Sequence, residues 1–174
     1  MLQKKIRVFE EGSRVHSVAD PNSSVAGYLI FASDSSQVEF FYPETDVVLD
    51  RRTRPDGTPV WNVEEDDTYL VEKAESEWLV SRRGQLLYAT SGVEDLVKVA
   101  FVADGGEEIE ILFFGKAGVA QMNRNGVYSL LRQYRTASGY GYKNPVFDLR
   151  GKGQEAVLTT LSDGSRLALK EKNK

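Results

Sequence analysis

The chain has 174 residues, of which 41% are apolar, 28% charged and 10% aromatic, with no cysteine and one histidine. This length and composition are typical of a globular protein, and we expect a single β-rich domain over residues 1–174. The lack of cysteine excludes thiol nucleophiles, cysteine-ligated metals and disulfides, and one histidine excludes sites built on two imidazoles.

The formal net charge of −4 hides an uneven distribution along the chain. Residues 1–115 carry 22 acidic and 11 basic side chains, whereas residues 116–174 carry 4 acidic and 11 basic side chains. This polarity indicates either a basic face on the C-terminal third that meets an anionic partner, or opposite charges that face one another or solvent.

The N-terminal residues 1–11 alternate charged and apolar side chains and lack the apolar core of a secretory signal. No stretch approaches the roughly 18 apolar residues of a membrane helix. The sequence therefore predicts a soluble cytoplasmic protein without a membrane span, or a periplasmic or secreted one if a signal peptide has been removed.

Apolar residues alternate with polar ones between turn signals spaced about 8–12 residues apart, which is typical of antiparallel β proteins. Residues 28–31 and 38–42 predict a hairpin around the polar turn 33–36. A proline and glycine turn over 54–59 separates two further strands. The next predicted strands lie at 69–71, 78–80, 86–88 and 109–114.

Near the C-terminus, Asp163-Gly164 lies between the alternating runs 156–161 and 166–169, which is a strong hairpin signal. Two segments show helical spacing instead. Over 92–103 the pattern favours a short helix that gives way to a strand, although strict alternation from Val97 also fits a strand. Over 126–137 it predicts a helix whose apolar face includes Tyr134.

The predicted fold is therefore mainly β: an antiparallel sandwich or open barrel of about 10–12 strands built from hairpins, with one or two short helices around 92–103 and 126–137.

The segment 123–153 is rich in arginine and tyrosine and contains one acidic residue, Asp148. Arginine and tyrosine dominate the energetics of protein–protein interfaces, and they can also contact phosphates, bases or sugars. The alternative is that these residues belong to a helix core, to the solvated side of that helix and to an ordinary surface loop over 138–142. The candidate binding residues are Arg124, Arg132, Arg135, Tyr140, Tyr142, Lys143 and Arg150.

Catalytic motifs are scarce. His16 lies in an alternating strand without a nucleophile motif, so we expect it at the surface rather than as a general base. Residues 151–156 match a dinucleotide-binding pattern, but the β-branched run that follows predicts a turn. The acidic run 64–67 lacks EF-hand spacing and is expected to be a solvated loop. We expect neither a cofactor nor a metal.

The favoured function is a non-catalytic binding protein, such as an inhibitor, an immunity-type protein or an assembly protein. It would use the Tyr/Arg-rich C-terminal face, or the acidic run 64–67, against a protein partner. The alternative is a barrel or sandwich that binds a small molecule or glycan, with Trp61, Trp78, Tyr140 and Tyr142 as stacking platforms. A third is a hydrolase that uses carboxylates such as Glu108 and Glu110. Nucleic acid is not expected as a partner, because the acidic remainder of the chain would repel it.

Overall fold

A computed structural model describes residues 11–20, 22–43, 45–63, 68–91 and 95–173. The described chain is almost entirely antiparallel β-structure and divides into two compact units, residues 1–94 and 95–174. Each unit contains one closed barrel of eight strands. Whether the two units behave as the single domain expected over 1–174 stays a prediction.

The first barrel is a meander in which each strand pairs with the next along the chain, and β1 pairs with β8 to close it. Its core contains Val15, Leu29, Phe40, Leu49 and Trp61, all nearly inaccessible to solvent. The strands are β1 (Ser13–Ser17), β2 (Ala26–Phe31), β3 (Gln37–Tyr42), β4 (Thr45–Thr53), β5 (Pro59–Asn62), β6 (Leu70–Ala74), β7 (Glu77–Arg82) and β8 (Gln85–Ala89).

The second barrel follows the same scheme, and β16 pairs with β9 to close it. A short 3₁₀ turn over Gly115–Ala117 joins β10 to β11. The strands are β9 (Leu96–Ala103), β10 (Glu108–Phe114), β11 (Val119–Arg124), β12 (Val127–Tyr134), β13 (Tyr140–Lys143), β14 (Phe147–Lys152), β15 (Glu155–Thr160) and β16 (Arg166–Glu171).

Alternation along these strands separates a closed interior from an outer face. Ile109, Ile111, Met122, Leu131 and Leu149 are fully buried in the second barrel. Because successive side chains of a strand point to opposite faces, the residues between them point outward. An eight-stranded barrel is narrow enough for side chains to fill its interior, and apolar side chains pack inside both barrels.

The mainly β prediction is confirmed, and the strand count was too low. The described chain holds sixteen strands rather than ten to twelve, and both barrels are closed rather than open. The shortest strands have only four residues. One of them, β13, has a glycine between two tyrosines and lies in the segment expected to be a loop. Four alternating residues give too weak a periodic signal to separate a strand from a turn.

The predicted helix at 126–137 is wrong, because residues 127–134 form the strand β12. Asn125 and Gly126 both have positive φ, at 53° and 79°, and form the two-residue turn that pairs Arg124 with Val127. An Asn-Gly pair in this conformation matches the twist of a hairpin, although asparagine is also a favourable helix cap. Cross-strand pairing on both edges then overrides the helical spacing of the apolar residues.

The pattern over 92–103 allowed a short helix that gives way to a strand or a strand alone, and the described residues 96–103 are a strand. Residues 92–94 lie outside the described residues, and 96–103 form β9. Phe101 and Ala103 point into the core on alternate positions, which is the strand pattern that the segment also contained. Three valines favour that outcome because β-branched side chains fit a strand better than a helix.

Candidate functional site

The outer face of β12, β13 and β14 brings together residues that are distant in the sequence. Arg132 lies opposite Lys143, which lies opposite Asp148 on the next strand. One pair further along, Tyr134 lies opposite Gly141, which lies opposite Arg150. Since Leu131, Tyr142 and Leu149 fill the interior, these intervening side chains share the outer face.

Tyr134 lies on this face and contacts three charged side chains: Asp148, Arg150 and Lys143. Its hydroxyl donates to Asp148 Oδ1 at 2.6 Å and accepts from Arg150 Nε at 2.5 Å. Lys143 Nζ lies 5.1 Å from the centre of its ring, and Arg150 Cζ lies 5.5 Å from it. Both cations are within reach of cation–π attraction to the ring. Burial and the hydrogen bond to Asp148 raise the pKa of Tyr134, so its hydroxyl keeps its proton.

Gly141 allows the Tyr134 ring to lie close against the backbone of β13. A Cβ at Gly141 would be 2.6 Å from Tyr134 Cζ and 2.7 Å from Thr136 Cγ2. No side chain can occupy this position without displacing the tyrosine or the threonine. The register of three strands and the absence of one side chain therefore set the position of Tyr134.

A groove of about 590 Å³ adjoins this face on β14, β15 and β16. We call it the basic groove. Val157 and Ala168 point outward from the middle of β15 and β16 and line it, and three cations border it: Arg150, Lys152 and Lys170. Two carboxylates also line the groove: Glu155 at the start of β15 and Asp104 just after β9.

The loop between β12 and β13 borders one side of the basic groove through residues 136–138. Thr136 Oγ1 lies within hydrogen-bond distance of the backbone oxygens of Ser138 and Gly139, at 3.2 and 3.1 Å. Gly139 has a positive φ of 75°, and a Cβ there would be 2.1 Å from the Gly151 oxygen. The loop thus depends on a glycine and on its own threonine, which fixes its path beside β14.

The structure brings together three of the seven candidate binding residues, Arg132, Lys143 and Arg150, on the outer face. Arg135 is exposed just after β12. Arg124 lies at the end of β11, where its Nε and Nη2 donate to both oxygens of Glu107 at 2.7 and 3.0 Å. This two-pronged pair lowers the pKa of Glu107.

Tyr140 and Tyr142 lie on the interior side of β13, against the Phe113 ring. Tyr142 is 5% exposed. Burial, together with the charge of Glu171 and the proximity of Tyr142, raises the pKa of Tyr140 to about 12. Tyr140 also borders the basic groove. Their rings therefore pack the core, whereas Tyr134 lies on the outer face.

Tyr134, Lys152 and Lys170 were not among the seven candidate binding residues. Tyr134 was assigned to the apolar face of a helix, and Lys152 lies in the Tyr/Arg-rich segment 123–153 from which the candidates were taken. The Asn125-Gly126 pair is the signal that could have located Tyr134. A hairpin turn there begins an alternating strand, and in that strand residue 134 points to the side opposite from the buried Leu131.

The tryptophans of the alternative reading lie in the first barrel. Trp61 is 4% exposed and its ring lies 5.1 Å from Phe31 and 5.7 Å from Trp78. Trp61 Nε1 donates to the Ser35 oxygen at 3.0 Å. The rings of Phe31, Trp61 and Trp78 pack against one another. The basic groove lies in the second barrel.

The groups considered for catalysis are occupied or dispersed. Glu110 pairs with Lys98 at 2.8 Å, and Glu108 pairs with Lys172. His16 lies in β1 of the first barrel, opposite Ala26 of β2 and Ala89 of β8 in the strand register. The acidic run 64–67 lies outside the described residues. Within the described ranges, no group of three or more histidine and carboxylate side chains could hold a metal ion.

Helices long and apolar enough to cross a membrane are absent from the described part of the chain.

The fold places the protein in the all-β class, and its second barrel presents a groove bordered by three cations. Residues 101–166 match a family model described as MliC, the membrane-bound lysozyme inhibitor of c-type lysozyme. The match lies within the second barrel, from β9 to the start of β16, and covers less than half of the chain. A search of curated proteins and a search of solved structures each find no match.

Proposed function

We propose that the second barrel binds a c-type lysozyme and inhibits it, with the basic groove and the face around Tyr134 as the binding surface. The observation that carries this proposal is the position of the family match. The matched residues 101–166 include β12, β13, β14 and β15, which contribute Tyr134, Arg150 and Lys152 to that surface.

Charge supports the choice of surface. A lysozyme cleaves its substrate with two carboxyl groups in a cleft. Cations at the edge of the basic groove complement such a cleft and would accelerate association by electrostatic steering. The second unit carries 12 basic and 9 acidic residues, whereas the first carries 10 basic and 17 acidic residues.

Rigidity supports the same surface. The loop that borders the basic groove is fixed by Thr136 and Gly139, and Arg150 is held by Tyr134 and Asp148. Groups that are ordered before binding lose less conformational entropy when a partner arrives. An inhibitor gains affinity from such order because less of its interaction energy is spent on ordering its own side chains.

The matched family also bears on location. Its description names a membrane-bound inhibitor. We propose that this protein acts at a membrane outside the cytoplasm, which is the periplasmic or secreted alternative of the sequence analysis. The cytoplasmic expectation gains no support from the match.

The test is inhibition of a purified c-type lysozyme by the full chain, measured as the rate of cell-wall lysis. We expect inhibition that saturates near a 1:1 ratio. Charge reversal at Arg150→Glu with Lys152→Glu should weaken it at least tenfold, because two cations of the binding surface become repulsive. Arg51→Glu, at an exposed position of the first barrel, is the matched control and should inhibit like the unchanged chain. Full lysozyme activity at excess inhibitor would refute the proposed function.

A further inference from the structure

Arg150 has a guanidinium group that is only partly used inside the protein. Its Nε donates to the Tyr134 hydroxyl and to Asp148 Oδ2, the latter at 3.2 Å. Its side chain remains 66% exposed and lines the basic groove. Among the described residues, no hydrogen bond engages its two terminal nitrogens. One edge of the guanidinium is therefore anchored, and the terminal edge is open.

The anchor is itself fixed. Both carboxylate oxygens of Asp148 accept hydrogen bonds. Oδ1 accepts from the Tyr134 hydroxyl at 2.6 Å, and Oδ2 accepts from Arg150 Nε. The Tyr134 ring lies against Gly141, where any Cβ would clash, and Lys143 covers it at 5.1 Å. An arginine that is free in solution would lose side-chain entropy on binding. This arginine has already lost part of it on folding.

We propose that Arg150 is a carboxylate-receiving subsite of the basic groove, held ready by Tyr134 and Asp148. The two terminal nitrogens of a guanidinium match the two oxygens of a carboxylate in geometry. A singly charged anion suits this place better than a phosphate dianion because Asp148 and Glu155 lie in the same region. The subsite rests on the proposed function in one respect, which is that the protein partner supplies the carboxylate.

Acetate tests the chemistry without any partner. In the full chain labelled with ¹⁵N-arginine, we expect the guanidinium signals of Arg150 to shift with acetate and to saturate. Sodium chloride at equal ionic strength should not reproduce the shift. Tyr134→Phe keeps the ring and removes the anchoring hydroxyl, so its midpoint should rise at least threefold. The subsite is refuted if Arg150 responds like the exposed Arg51, or if Tyr134→Phe leaves the midpoint unchanged.

Lysozyme tests the source of the carboxylate. Arg150→Lys keeps the charge and removes the planar fork, and we expect at least a tenfold loss of affinity by calorimetry, against less than a twofold change for Arg51→Lys. Tyr134→Phe should weaken binding in the unchanged chain but add little in the Arg150→Lys background, because the tyrosine acts through the arginine. Equal melting temperatures would show that the variants fold.

The two proposals fail separately. If the unchanged chain binds lysozyme and Arg150→Lys binds within twofold of it, the subsite is wrong while the proposed function stands. If lysozyme does not bind but acetate saturates Arg150 in the manner above, the proposed function is wrong and the carboxylate subsite stands for another protein partner.

Discussion

Gly141 shows at the scale of single residues how a missing side chain sets the position of a functional one. Replacement by alanine would place a Cβ 2.6 Å from Tyr134 Cζ and 2.7 Å from Thr136 Cγ2. We expect Gly141→Ala to lower the free energy of unfolding by about 1–3 kcal/mol, as overpacking does elsewhere. Urea unfolding measures it. Gly115→Ala is the control, because a Cβ at Gly115 meets nothing within 4 Å. Equal effects at the two glycines would contradict the close approach of Tyr134.

The Glu107–Arg124 pair gives a second prediction at this scale. Arg124 lowers the pKa of Glu107 in the folded protein, so the carboxylate contributes stability above its unfolded pKa and loses it as the pH falls. The unchanged chain should therefore exceed Glu107→Gln in stability at neutral pH, and the difference should shrink between about pH 5 and pH 3. Urea unfolding across that range measures it. A constant difference would show that the ion pair makes no pH-dependent contribution.

At the scale of elements, the Asn125-Gly126 turn decides that residues 127–134 form a strand. Both turn residues have positive φ, which glycine adopts freely and a β-branched residue does not. Asn125→Gly should keep the free energy of unfolding within about 0.5 kcal/mol, whereas Gly126→Val should cost about 1–2 kcal/mol. Thermal unfolding compares the two variants. A Gly126→Val variant as stable as the unchanged chain would contradict the turn geometry.

Turn chemistry also explains how much of the fold the sequence predicted. The hairpin around Asp163-Gly164 and the hairpin that pairs 28–31 with 38–41 are confirmed, because a turn and two alternating runs lie within one short segment. The strand β12 was missed where a hairpin turn resembled a helix cap. The closure of β16 onto β9 joins residues about seventy positions apart, and no local pattern specifies such a pairing.

The site was less predictable than the fold. Arg150, Lys143 and Arg132 were selected from composition, and the structure places them on one face. Tyr134 and Asp148 could not be assigned to that face, because their contact depends on the register of β12, β13 and β14 together. Tyr140 and Tyr142 looked like the tyrosines of a surface loop, yet a four-residue strand directs both rings inward.

At the scale of the whole molecule, each compact unit contains all the strands of its own barrel and its own buried core. We therefore expect residues 95–174, expressed alone, to fold into a β-rich protein that unfolds in one cooperative transition. Far-ultraviolet circular dichroism and thermal unfolding measure this. An unfolded fragment would contradict the independence of the second barrel and would favour the single domain expected from the sequence.

The central claim is that a c-type lysozyme binds the outer face of the second barrel. Hydrogen–deuterium exchange of the full chain, with and without a c-type lysozyme, tests it most directly because it locates the contact surface. We predict slower exchange in the loop 135–139 and along β14 and β15 when lysozyme is added. Exchange unchanged throughout the second barrel, or protection confined to the first barrel, would contradict the account.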